Sequence, residues 1–289
     1  MKLLLLLILA VGFGFYMSEK GLVRLPADTK APAIEAAGET AYQRIVRSGV
    51  VRCGYALWPP FLRKDPNTGQ LSGFNHEIFN EIGKELGLKI EWVEEVGFGN
   101  YIEGLNAGRY DALCQTVWPD PGRYKNATIT LPVHYHNVYV VVRSNDARFD
   151  QGYNKLNDAA FTTAAIDGDV TQSISRADFP NAKINALPQT VDATQLFLEV
   201  ATGKADATFA DYGFFKDYDV KNPGKLKTVG QVLHVYGSVF SVKQGEADLK
   251  NLIDSAIVSL TNKGILAAIL KREDPASMPP APTYAPVTP

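Results

Sequence analysis

The chain has 289 residues, 46% hydrophobic, 21% charged and 10% aromatic, a globular composition that excludes a wholly disordered, collagenous or polytopic membrane protein. Lys and Arg total 29 against 31 Asp and Glu, so the net charge of -2 supplies no global positive field and nucleic acid is not an expected partner. Cys53 and Cys114 form no CxxC pair and show no Cys/His spacing of the zinc type, which argues against a disulfide scaffold or a thiolate metal site.

Residues 1–17 (MKLLLLLILAVGFGFYM) place a single Lys2 ahead of the uncharged run from Leu3 to Met17. This reads as a signal peptide or an N-terminal membrane anchor: it is short of the ~20 apolar residues of a spanning helix, and no small-x-small cleavage site follows directly. Cut or kept, it directs the rest of the chain out of the cytoplasm. Residues 18–40 mix Ala, Pro and charge without periodicity and are expected to be a linker.

From Ala41 the pattern becomes that of a folded domain. AYQRIVRSG predicts a short helix ending at Gly49, and Val50 to Tyr55 a buried strand. Pro59, Pro60, Asp65, Pro66, Asn67 and Gly69 predict a loop and hairpin. GFNHEIFNEIGKELG then puts Ile78, Phe79, Ile82 and Leu86 on one helix face, with Gly87 as its stop. Leu88 to Glu95 is an expected strand, Asn100 to Ala107 a short helix, Asp111 to Val117 a strand, and Val138 to Arg143 a strongly apolar strand. A second β/α series follows: a strand over Phe161 to Ile166, the turn and helix of IDGDVTQSISR, a helix over Asp192 to Thr202 with Asp192 as its N-cap, and strands over Asp206 to Ala210 and Val235 to Val242. Helical segments on either side of Gly264 and a Pro-rich tail end the chain.

Strands alternating with helices predict an α/β fold with mostly parallel sheets flanked by helices, whose ligands sit outside the carboxyl ends of the strands. GLNAGRYDALCQT and EVATGKADATFAD both run helix end, Gly, basic residue, acidic residue, Ala, strand, as if one unit were used in each of two lobes. A cleft between lobes is then the expected ligand site.

RIVRSGVVRCGY, WPPF at Trp58 to Phe61, GFNHEIFNEIGKELG, LNAGRYDALCQTVWPDPGR ending at Arg123 and GKADATFADY, in this order and spacing, resemble the amino-acid type of periplasmic solute-binding protein that serves ABC importers, family 3 of the extracellular solute-binding proteins. The resemblance runs from about Tyr42 to Lys271. It implies a two-lobed, type II periplasmic-binding-protein-like fold that closes by hinge motion. Lobe 1 is expected from residues 41–143 and 238–274, lobe 2 from 144–237, and the disordered tail from 275–289. It also implies a monomer that binds a small amino-acid-like solute and hands it to an ABC permease in the inner membrane.

The resemblance assigns the site residue by residue. Arg123 falls where members hold the ligand carboxylate, a task a planar guanidinium suits, and Asp211 where they hold the amino group. Trp58 and Phe98 fall at apolar positions able to sandwich a side chain, and Thr116 where a hydroxyl or backbone group meets the ligand. Two departures stand out. Trp118 replaces a small hydroxyl residue, which narrows the expected pocket, and Asp169 beside Gly168 replaces a Ser or Thr at a helix N-terminus that would receive the carboxylate. Asp169 either faces the cleft or caps its helix; if it and Asp211 both oppose Arg123, a ligand with more than one positive group fits. Cys53 and Cys114 lie on strands the family places side by side, as two buried thiols or a disulfide.

His134 and His136, two apart on an expected strand, point the same way and form a metal pair without an evident third ligand, so metal is set aside. No GxSxG, Walker loop or GxGxxG is present, and no cofactor is expected. The alternatives to a transport binding protein are a cyclohexadienyl-dehydratase-like enzyme on the same scaffold, with Asp120, Asp169 or Asp211 as its acid or base, and a ligand-sensing domain for a membrane partner.

Overall fold

The computed structural model describes residues 38–273, 275 and 277–280. The expected signal or anchor, the linker as far as residue 37 and the last residues of the tail lie outside the described residues.

Thr40 opens α1 (Ala41–Ser48) with a capping box: its hydroxyl accepts from the Gln43 N–H while the Gln43 side chain accepts from the Thr40 N–H, each at 3.1 Å. Gly49 takes the left-handed conformation that ends it and feeds β1 (Val50–Tyr55). A hairpin of β2 (Arg63–Lys64) and β3 (Leu71–Ser72) precedes α2 (Phe74–Leu86), whose Ile78, Phe79 and Ile82 are buried as the spacing predicts, together with Phe74, while Leu86 is partly buried against the same core. β4 (Lys89–Glu95), α3 (Tyr101–Asn106) and β5 (Ala112–Val117) complete the β-α-β rhythm. The order β4-β1-β5 is parallel throughout, and every residue of β5 is buried between its neighbours. Asp111, just before β5, accepts from Arg44 of α1 and from the Arg52 backbone and guanidinium, which ties the first helix to the sheet.

A second parallel set has the order β10-β8-β9, formed by β8 (Thr162–Ile166), β9 (Lys183–Leu187) and β10 (Ala207–Asp211). It is flanked by α4 (Val170–Asp178), α5 (Gln195–Ala201) and α6 (Tyr212–Lys221). The two sets are joined by two long antiparallel strands, β7 (His134–Arg143) and β11 (Leu226–Lys243). At one end β11 pairs with β5 and with β6 (Ala127–Ile129); toward the other, β7 pairs with β10. α7 (Ala247–Asn262) and α8 (Ile265–Glu273) return to pack on α2. The result is the expected two-lobed α/β architecture, three parallel strands to a lobe with the crossing pair between them.

Four expectations change. Residues 138–143, expected in the first lobe, pair with β10 and so belong with the second; the chain changes lobe inside β7 rather than after it. β11 starts at Leu226, not Val235, because its first half lies against β7, with an irregularity between Val229 and His234. Asp192 does not cap α5: the helix opens at Gln195, and the Asp192 carboxylate accepts from the Thr194 N–H at 2.8 Å in the preceding turn. The tail begins later than residue 275, since Met278 exchanges two backbone hydrogen bonds with Tyr135 and Ser277 is buried against His134.

Candidate functional site

A small cavity of about 30 Å³ lies where β5, β7 and β11 pass between the lobes, so the lobes are closed down on the site. Seven of the eight residues singled out from the sequence line it: Trp58, Phe98, Thr116, Trp118, Arg123, Asp169 and Asp211. The eighth, Gly168, does not line it; its carbonyl oxygen accepts from the Arg123 guanidinium.

The polar groups come from opposite lobes. Arg123 stands on a short 3-10 turn, Arg123–Lys125, after β5, and its guanidinium reaches across to Gly168 and to Asp169 Oδ2 at 3.4 Å, with Tyr101 beneath it at 5.9 Å. Asp169 does both things the sequence left open. Its Oδ1 caps α4 by accepting from the Thr171 N–H at 2.9 Å and the Thr171 hydroxyl at 2.8 Å, and its Oδ2 faces Arg123. Its carboxylate thus pairs with Arg123 while lining the same cavity as Asp211. Asp211 ends β10 and caps α6, accepting from the Phe214 N–H at 2.7 Å, while its other oxygen accepts from Trp58 Nε1 of the opposite lobe at 3.1 Å. Asp120 accepts from Ser173 and from the Gly122 N–H. Burial alone would raise its pKa, but these hydrogen bonds and Arg123 hold the carboxyl below its usual value.

The walls are aromatic. Trp58 packs edge-on against Phe98 at 5.3 Å and Trp118 at 6.1 Å, and Trp118 stacks on Tyr236 with ring centroids 5.4 Å apart. The floor is His134 and His136, both buried, with Phe61 tilted over them. Desolvation pushes both imidazoles down, His134 well below its ordinary value and His136 to about 3, so both are neutral. His134 shares hydrogen bonds with Thr116 Oγ1 and Ser277 Oγ, each at 3.3 Å. Thr116 therefore presents its hydroxyl to His134. Among the described residues no group of three or more His, Cys, Asp or Glu side chains is placed to hold a metal.

Phe61, Gln115, Val117, His134, His136 and Ser238 also line the cavity and were not anticipated as such. Phe61 stands in the quoted WPPF, and the alternation of His134 and His136 was visible, but its use as a floor was not. Ser238 belongs to the cavity only because β11 crosses there, a contact between residues far apart in the chain. Cys53 and Cys114, on adjacent parallel strands with Cα atoms 5.4 Å apart, form a disulfide behind the site.

A two-lobed α/β fold with an aromatic, charge-bearing cavity between the lobes defines a bilobal ligand-binding protein. The family profile "Bacterial extracellular solute-binding proteins, family 3" matches residues 51–272, and the chain belongs to that family. It is 26% identical over 81% of its length, and 87% of the relative's, to a probable amino-acid ABC transporter-binding protein of Haemophilus influenzae. Its fold is similar, at TM-score 0.70 and 23% identity, to an ancestral amino acid-binding protein described as a precursor of cyclohexadienyl dehydratase, over 81% of this chain and 99% of that one. It is equally similar, at TM-score 0.70 and 23% identity, to a solute receptor for L-cysteine of Neisseria gonorrhoeae, over 82% and 98% of the two chains.

Proposed function

We propose that this protein captures a small zwitterionic amino acid outside the cytoplasm and presents it to an ABC permease, acting as a monomer and without transforming it. The observation that carries this reading is the placement of Arg123 and Asp211 on opposite lobes of one cavity. A guanidinium suits the ligand carboxylate and a buried carboxylate the ammonium, so a molecule bearing both links the lobes and favours closure. Gly168, Asp169 and Trp58 now hold those two groups, and the ligand would take over part of that pairing. Phe98 and Trp118 would enclose the side chain. Asp120, its carboxyl held below the usual value, is a poor proton donor, and the buried neutral imidazoles are weak bases, which supports binding over catalysis.

Ligand that binds only the folded state raises Tm by mass action. In a thermal-shift screen of amino acids, small carboxylates and prephenate, at least one amino acid should raise Tm, and Arg123→Ala and Asp211→Asn should each suppress that shift. Turnover of prephenate, or no shift from any amino acid, would refute the reading.

A further inference from the structure

His136 differs from its neighbour His134 in a way that bears on the ligand. Both nitrogens of His134 have partners. His136 Nδ1 lies 3.4 Å from Ser238 Oγ, whereas His136 Nε2 is buried with no hydrogen-bond partner among the described residues. His136 is 4% exposed and lines the cavity, with Trp118 at 5.4 Å and Phe61 at 6.1 Å between ring centroids. Buried polar atoms nearly always have a partner, and an unmet one costs stability. An unmet nitrogen in the wall of a ligand cavity is accounted for if the ligand supplies the missing bond.

We infer that His136 Nε2 is the specificity-determining contact for the ligand side chain, and that the preferred ligand is an amino acid whose short, uncharged side chain ends in a hydroxyl, thiol or carboxamide. This rests on the amino-acid reading above and adds the side-chain class. The chemistry follows from the surroundings. The neutral imidazole presents Nε2 as donor or acceptor according to which way the bond with Ser238 runs, and a hydroxyl, thiol or carboxamide offers both roles. A carboxylate can only accept and an ammonium or guanidinium only donate, and either would have to shed its water among Phe61, Trp118 and a second neutral histidine. The burial that holds His136 neutral opposes a second charge for the same reason.

The test is isothermal titration of the full chain with matched pairs, L-serine against L-alanine, L-threonine against L-valine and L-asparagine against L-leucine, together with L-lysine, L-arginine and L-glutamate. At least one polar member should bind about tenfold or more tighter than its apolar partner, as expected for one hydrogen bond to a buried group. His136→Phe should bring that ratio to within about twofold, and His136→Gln, which keeps a hydrogen-bonding group, should restore part of it. Wild-type ratios near one, tighter binding of lysine, arginine or glutamate, or a ratio unchanged by His136→Phe would overturn the assignment to His136 and leave amino-acid binding standing. Binding of no amino acid at all would overturn both.

Discussion

His134 and His136 join the site to the stability of the molecule. Their folded pKa values lie below the ordinary 6.5, that of His136 at about 3, because burial penalises the charged form. Below pH 6.5 the unfolded chain therefore binds more protons than the folded one, and stability falls as pH falls toward the folded values. Each histidine should remove about 1.4 kcal/mol per pH unit in that window. Urea unfolding at pH 7, 6 and 5 would show the slope, and His136→Phe should reduce it by about 1.4 kcal/mol per pH unit; an unchanged slope would show that His136 does not titrate as its burial requires. The sequence put both side chains on one face of a strand, which is a local fact. Their burial comes from Phe61, Phe74 and Trp118, which other segments supply, and strand alternation cannot reveal it.

Among the elements, the regular helices were mostly readable, whereas of the two crossing strands only the later halves were. α2 has an apolar stripe with a glycine stop, and its buried residues are those the period selects. α6 went unread because YGFFKDYDVK buries little beyond Phe214 and Phe215, so its period is faint. β9 is a partly exposed edge strand without a clean alternation. β1 and β5 carry the disulfide, which closes a loop spanning 61 positions and by chain entropy contributes about 4 kcal/mol. Replacing both cysteines by alanine should lower Tm on the order of 10 °C in calorimetry, and dithiothreitol should reproduce the loss in the wild type. A Tm insensitive to both would mean the bond does not constrain the unfolded chain.

For the whole molecule, closure of the cleft depends on close approach at few points. Arg63 meets Asp217 at 3.0 Å, Asp120 accepts from Ser173, and the loop around Phe98 lies against Gln189. A Cβ at Gly97 would stand 2.7 Å from the Gln189 backbone oxygen, a contact that no rotamer change relieves. Gly97→Ala should therefore hold the lobes apart, weakening ligand binding about tenfold or more and raising the radius of gyration with ligand present, while the unliganded Tm changes little. Scattering and titration on the same variant would check this, and unimpaired affinity would show that closure does not use that contact. Composition, the β-α-β rhythm and the repeated Gly-basic-acidic-Ala unit determined by themselves that this is a two-lobed α/β protein, because hydrophobic period and turn chemistry act over a few residues. The resemblance to solute-binding proteins also brought Trp58, Phe98, Arg123 and Asp211 to notice. Only the tertiary structure decided that Asp169 pairs with Arg123 while capping its helix, that residues 138–143 belong to the second lobe, and that His136 faces the cavity with a nitrogen unmet. Each of these depends on segments some 46 to 102 positions apart packing together, and the energy of such a contact is set by burial and partner geometry that no local pattern encodes.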